Sequence, residues 1–160
     1  MRNPGAGDSL SVVETRAIVQ FLALFGTVVF AGLAAIHVRW AFAGPDAFKA
    51  GIPTRADGTP VLNPGAVAAL GVAALLLASA WLLLERAGLG LDVLPVPMPA
   101  IGSAGVAIVL FLRGIGDFRY VGLFKRVRDT PFARMDSHVY TPLVLALASV
   151  AGLVAVMGTG

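Results

Sequence analysis

The sequence contains no cysteine. Thiolate nucleophiles, disulfide relays, iron–sulfur clusters and thiolate-ligated haem are therefore excluded. Charge is scarce too, at 13% of residues against roughly 25% in ordinary soluble domains. Hydrophobic residues reach 58% where about 45–50% is usual, more apolar surface than a water-soluble chain of 160 residues can hide. No acidic residue lies near the middle of any long apolar stretch, whereas proton- and cation-coupled carriers normally place one at the bilayer midplane. Neither histidine belongs to a tight metal motif such as H-E-x-x-H, and nothing repeats at a solenoid period.

What is present is hydrophobic length. Residues 17–36, 66–84 and 139–157 carry no charge, and residues 99–118 carry none before Arg113. At about 1.5 Å per residue, some 20 residues cross the roughly 30 Å hydrocarbon layer. The expected fold is all-α: a polytopic membrane protein built as a single bundle of four transmembrane helices, near residues 15–41, 64–86, 99–118 and 138–158. An interfacial basic and aromatic segment joins helices three and four. The connections leave no room for a second domain.

Residues 1–13 are polar and Gly-containing and read as a frayed tail. Ala41-Phe42-Ala43 before Gly44 resembles a secretory cleavage site, but the apolar run is longer than a signal core. Asp8 and Glu14 also stand beside Arg2 and Arg16, so the first span is expected to be retained. Gly44, Pro45, Gly51, Pro53, Gly58 and Pro60 mark a turn-rich first loop. Asn63-Pro64 suits the start of span two as an N-cap followed by Pro. Glu85-Arg86 ends that span, and Pro95, Pro97 and Pro99 delay span three to about Pro99. Thr130-Pro131 can begin a short helix, and Asp136-Ser137 can cap span four. Small-residue pairs, Ala31-x-x-x-Ala35, Ala100-x-x-x-Ala104 and Ala148-x-x-x-Gly152, suit close helix packing. They are expected inside the bundle, with a homodimer or a larger membrane complex as the alternative use.

Four spans place the first and third loops on one side. Those loops and their helix ends hold Arg39, Lys49, Arg55, Arg113, Arg119, Lys125, Arg126, Arg128 and Arg134, and the other side only Arg2, Arg16 and Arg86. The positive-inside rule puts the first and third loops in the cytoplasm and both termini outside the inner (plasma) membrane. The formal charge of +3 points to membrane lipids as partners and not to nucleic acid, because the bases cluster beside membrane spans.

The same topology gathers the chemistry. His37, Arg39 and Trp40 end span one, Arg113 and Asp117 end span three, and Asp136, Ser137 and His138 begin span four. Arg113 and Asp117 stand four residues apart and are expected to share a helix face as an ion pair. That pair reads either as a pocket for an anionic group or as a snorkelling anchor. Imidazole and carboxylate suit zinc or iron, yet a histidine at the interface more commonly makes a hydrogen bond, so no metal ligands are assigned. In the third loop Phe118, Tyr120, Leu123 and Phe124 interleave with Arg119, Lys125, Arg126 and Arg128, the composition of a segment lying against anionic headgroups. Gly114-x-Gly116 lacks a third Gly and a preceding strand, which excludes a dinucleotide loop.

His37-x-x-Trp40, Pro53, Arg113-x-x-Gly116-Asp117-Phe118, Tyr120-Val121-Gly122, Phe124-Lys125-Arg126-Val127, Thr130-x-Phe132-Ala133-x-x-Asp136 and Tyr140-x-Pro142-Leu143 together resemble a bacterial family of small four-span membrane proteins, domain of unknown function 3995. The resemblance covers nearly the whole chain after Val19. Members often carry Leu-Cys after the Pro of the last motif, whereas this chain has Leu143-Val144, so no thiol role carries over. The resemblance implies the fold and brings no activity.

Three functions remain open. The first is a binding or accessory protein whose pocket, at one membrane face, takes an anionic lipid headgroup or an amphipathic small molecule. Its candidate residues are His37, Trp40, Arg113, Asp117, Tyr120, Lys125, Arg126, Arg128, Asp136 and His138. The second is a membrane-embedded enzyme on a lipid or isoprenoid, with His37 or His138 as acid or base and Asp117 orienting it. The third is a small transporter acting as a dimer. No cofactor is assigned.

Overall fold

The computed structural model describes residues 5–43 and 51–158. Arg2, Gly44, Pro45 and Lys49, which entered the readings above, lie outside them. Five α-helices follow in order: α1 (Gly5–Ala43), α2 (Ala66–Arg86), α3 (Met98–Ile115), α4 (Pro131–Met135) and α5 (Thr141–Met157). A π-helical turn, Asp136–Tyr140, joins α4 to α5 without a break. Among the described residues four helical stretches are long and apolar enough to cross a membrane: Leu10–Ala43, Ala66–Arg86, Met98–Ile115 and Pro131–Met157. These residues form no sheet, only an antiparallel bridge between Thr54 and Pro60 in the first loop.

Helix α1 packs mainly on α2, and α3 mainly on α5; the two pairs meet along α2–α3 and α1–α5. The shared core is made by Val19, Ala23 and Phe30 of α1, Ala80 and Leu83 of α2, and Leu147, Ala151 and Val154 of α5. Lipid is as apolar as leucine, so close packing and not water exclusion holds such helices together. Gly26 permits that approach, since a Cβ there would stand 2.8 Å from Leu83 Cδ1 and 3.2 Å from Val150 Cγ1. Ala148 is buried, and Gly152 packs near Ala107 of α3. Ala31 and Ala35, by contrast, are exposed, so that pair lies outside the bundle and not inside it. Two hydroxyls bridge helices, Thr27 Oγ1 to the Ala80 carbonyl at 3.3 Å and Ser103 Oγ to the Leu82 carbonyl at 3.4 Å.

Several helix ends differ from the sequence reading. Helix α1 starts at Gly5, so most of the expected tail continues the first span. Its 39 residues extend roughly 58 Å, well beyond the hydrocarbon layer. Helix α2 starts at Ala66 with Gly65 at its N-cap, and not at Asn63-Pro64. Helix α3 ends at Ile115, three residues before Phe118, because Gly116 turns the chain at φ 93°. A Cβ at Gly116 would overlap the Val121 carbonyl. The helix leading into span four starts at the Thr130 cap, whose Oγ1 accepts from Ala133 N at 3.1 Å. Asp136 is therefore no cap; it lies inside a continuous helix and faces inward.

Candidate ligand-binding site

The third loop is a folded knot and not a flat interfacial strip. Two carboxylates organise it. Asp117 Oδ1 accepts from the amides of Arg119 (2.9 Å), Tyr120 (2.6 Å) and Val121 (3.0 Å). Burial raises the Asp117 pKa, and the three amide bonds outweigh it and hold the carboxyl below its usual range. Asp136, fully buried, is the second centre. Its Oδ1 accepts from Arg113 Nη2 at 2.9 Å. Its Oδ2 accepts from Lys125 Nζ at 3.0 Å, Gly122 N at 2.8 Å and Thr141 Oγ1 at 3.1 Å. Lys125 Nζ also donates to the Gly122 carbonyl at 3.1 Å.

The expected Arg113–Asp117 pair is thus replaced by an Arg113–Asp136–Lys125 triad. The reason is the end of α3: helical spacing would have aligned residues 113 and 117, but Gly116 ends the helix between them. Asp117 is left to satisfy the loop amides, while the π-helical turn at Asp136–Tyr140 belongs to the element that points Asp136 back at Arg113. Such turns insert one residue into a helix and are frequent at functional sites. Lys125, expected to face headgroups, is only 3% exposed in its side chain.

The triad borders, through Arg113, a cavity of about 430 Å³ between the two helix pairs, at the end of the bundle that carries the first and third loops. Its polar rim contains His37, Trp40, Arg113 and Tyr140, and its interior is lined by leucines, valines and phenylalanines from α1, α2, α3 and α5, with Phe132 of α4 beside the rim. Two cations face one carboxylate in the triad, which leaves one unit of positive charge. Arg113 Nη1 is shielded from solvent and has no hydrogen-bond partner. Among the described residues Thr54 Oγ1, in the first loop, is the other such atom.

His37 Nδ1 lies 2.7 Å from the Leu33 carbonyl. A carbonyl only accepts, so Nδ1 carries the proton and Nε2 is the acceptor of the neutral ring. The His37 ring meets Trp40 edge to face, 4.9 Å between centroids, and Trp40 in turn packs on Gly51 of the first loop, where a Cβ would come within 2.6 Å of the indole.

Seven of the ten expected site residues stand apart from the cavity or behind it. Arg113, His37 and Trp40 line it directly, and Asp136 holds Arg113 from behind, with Lys125 on its far side. Asp117 is turned into its own loop. Tyr120 lies under Arg119, whose guanidinium is 5.2 Å from the ring. Arg126 is exposed, as is Arg128, which donates to the Lys125 carbonyl. His138 is exposed and bonds back to the Arg134 carbonyl at 2.8 Å. Among the described residues neither histidine bonds to a carboxylate, and no group of three metal-ligating side chains forms.

Sequence reasoning missed Tyr140 as a rim residue and Glu85 as a buried carboxylate. Glu85, 4% exposed, accepts from Trp81 Nε1 (2.8 Å), Leu91 N (2.9 Å) and Asp92 N (3.0 Å). It ties the second loop to α2 at the opposite membrane face. The Trp81-x-x-x-Glu85 spacing, one helical turn, was the available signal.

The fold and these sites define a multi-pass membrane protein with four spans and a polar-rimmed cavity at one end. The chain belongs to the family described as "Protein of unknown function (DUF3995)", which matches residues 30–151. That stretch runs from the cavity wall in α1 to the core of α5. No curated protein and no solved structure matches the chain.

Proposed function

We propose that this is a binding or accessory membrane protein whose end cavity holds the anionic head of an amphipathic molecule drawn from the membrane. One observation carries the reading: Arg113, its side chain 34% exposed, lines a cavity with an apolar interior, and the triad that holds it retains one unit of positive charge. An incoming oxyanion at the exposed part of the guanidinium gains charge-assisted hydrogen bonds and neutralises the residual charge of the triad. Buried membrane charges are functional by default.

The exposed bases of the third loop, Arg119, Arg126 and Arg128, favour anionic headgroups at this membrane face. They also support a cytoplasmic position for the first and third loops in the plasma membrane. The enzyme reading loses its proposed dyad, because Asp117 is spent on loop amides and His37 is oriented by a backbone carbonyl.

Native mass spectrometry of the gently purified protein, beside Arg113→Ala and His37→Ala variants, tests the reading. A bound anionic mass on the wild type that is lost from Arg113→Ala is expected. Equal retention by that variant overturns it.

A further inference from the structure

The cavity has a floor, and the floor stands at a defined depth. From Trp40 at the rim, the α1 wall descends through Leu33 to Phe30, ten residues and about 15 Å along the helix. On α2, Leu76 lies ten residues from the helix start at Ala66, again about 15 Å. On the third wall Leu147 lies eleven residues from Asp136, about 16 Å. All three line the cavity. Phe30 and Leu147 are each 1% exposed and belong to the shared core, so the space closes there.

We infer that the cavity takes a single-chain amphiphile with a compact oxyanion head, a carboxylate or a phosphate monoester, and that Phe30, Leu76 and Leu147 set the length of chain it accepts. This rests on the anion-binding reading above and deepens it. The head meets the Arg113 guanidinium, and the chain runs inward between the helix pairs. A depth of about 15 Å is half the roughly 30 Å hydrocarbon layer, the reach of one leaflet's chain. A volume of about 430 Å³ lies in the range that encloses one drug-sized molecule, and the four helices that wall it leave a second chain outside.

Inside a bilayer the chain gains little by leaving lipid for protein, because both are equally apolar. Length selection comes instead from fit: a short chain leaves a void, and a long one overpacks the floor. The wild type, reconstituted in nanodiscs of zwitterionic lipid, is titrated with octyl, dodecyl and hexadecyl phosphate, laurate, dodecanol and a diacyl phosphatidic acid. The same series is run on Leu147→Ala, Leu76→Phe and Arg113→Ala. At equal mole fraction in the bilayer, the wild type is expected to favour one chain length by about tenfold. Laurate and dodecyl phosphate both bind, and dodecanol and the diacyl lipid bind at least about tenfold more weakly.

Leu147→Ala, which deepens the floor, moves the optimum to the longer chain, and Leu76→Phe, which raises it, to the shorter. The floor variants lie on different helices, so the loss of one to misfolding leaves the other to decide. An optimum unchanged in a folded floor variant, or tighter binding of the diacyl lipid, overturns the chain-length inference while leaving the anion site standing. Dodecyl phosphate binding that is equal in Arg113→Ala and wild type, or matched by dodecanol, overturns the anion site itself.

Discussion

Replacing Asp136 by Ala tests the centre of the third loop. The carboxylate is fully buried and accepts four hydrogen bonds, two of them from cations at 2.9 and 3.0 Å. Its removal leaves Lys125 almost without solvent, its side chain 3% exposed, and leaves Gly122 N unpaired. Breaking one side of a buried ion pair costs about 3–5 kcal/mol, since the partner charge stays behind uncompensated. The two cations differ in their escape. Arg113 has the cavity to relax into and retains 34% exposure, whereas Lys125 is enclosed. The larger part of the loss is therefore assigned to Lys125. Equilibrium unfolding in mixed detergent micelles titrated with denaturing detergent should show Asp136→Ala destabilised by about 3–5 kcal/mol, more than a hundredfold in the folding equilibrium. The double variant Asp136→Ala, Lys125→Met removes the stranded charge and should recover about half of that loss, because apolar replacements of buried ions are often near neutral. A single variant within about 1 kcal/mol of wild type, or a double variant less stable than the single, would refute the triad as the structural centre of this loop.

Asp117 predicts a pH dependence. Its folded pKa lies below the ordinary carboxylate value, so the stability it contributes is full above the unfolded pKa of about 3.9 and is lost as pH falls through the depressed value. Hydrogen-exchange protection at the amides of Arg119, Tyr120 and Val121, measured against the intrinsic rate at each pH, should fall below about pH 4 in the wild type. In Asp117→Asn that pH step should vanish, and its persistence would show that another group controls the loop. At the opposite face, Glu85→Ala removes the acceptor for Trp81 Nε1 and two second-loop amides, a loss of about 2–3 kcal/mol read by unfolding and by a changed Trp81 emission. An unchanged stability would show that the second loop is held without it.

The four spans, their order and the end of the bundle that gathers the polar residues were legible in the sequence, because hydrophobic length is a local property that the bilayer thickness reads directly. The resemblance to its family was legible for the same reason, being a matter of residues in a row. The partners of those residues were not. Helical spacing aligned Arg113 with Asp117, and it failed at Gly116, where a carbonyl from the returning chain occupies the space of a side chain. Asp136 reads as a helix cap by its local neighbours and becomes the buried hub only because Thr130 starts the helix earlier and a π-helical turn follows. Lys125 carries the signature of a headgroup contact in sequence, yet the loop folds it inward onto that carboxylate. Charge pairing depends on distances between segments brought together from far along the chain, and side-chain type alone does not contain them. Composition determined that this chain lives in a membrane with four helices; only the packing of the two helix pairs opened a cavity between them and brought Arg113 to its wall with the Asp136 carboxylate behind it.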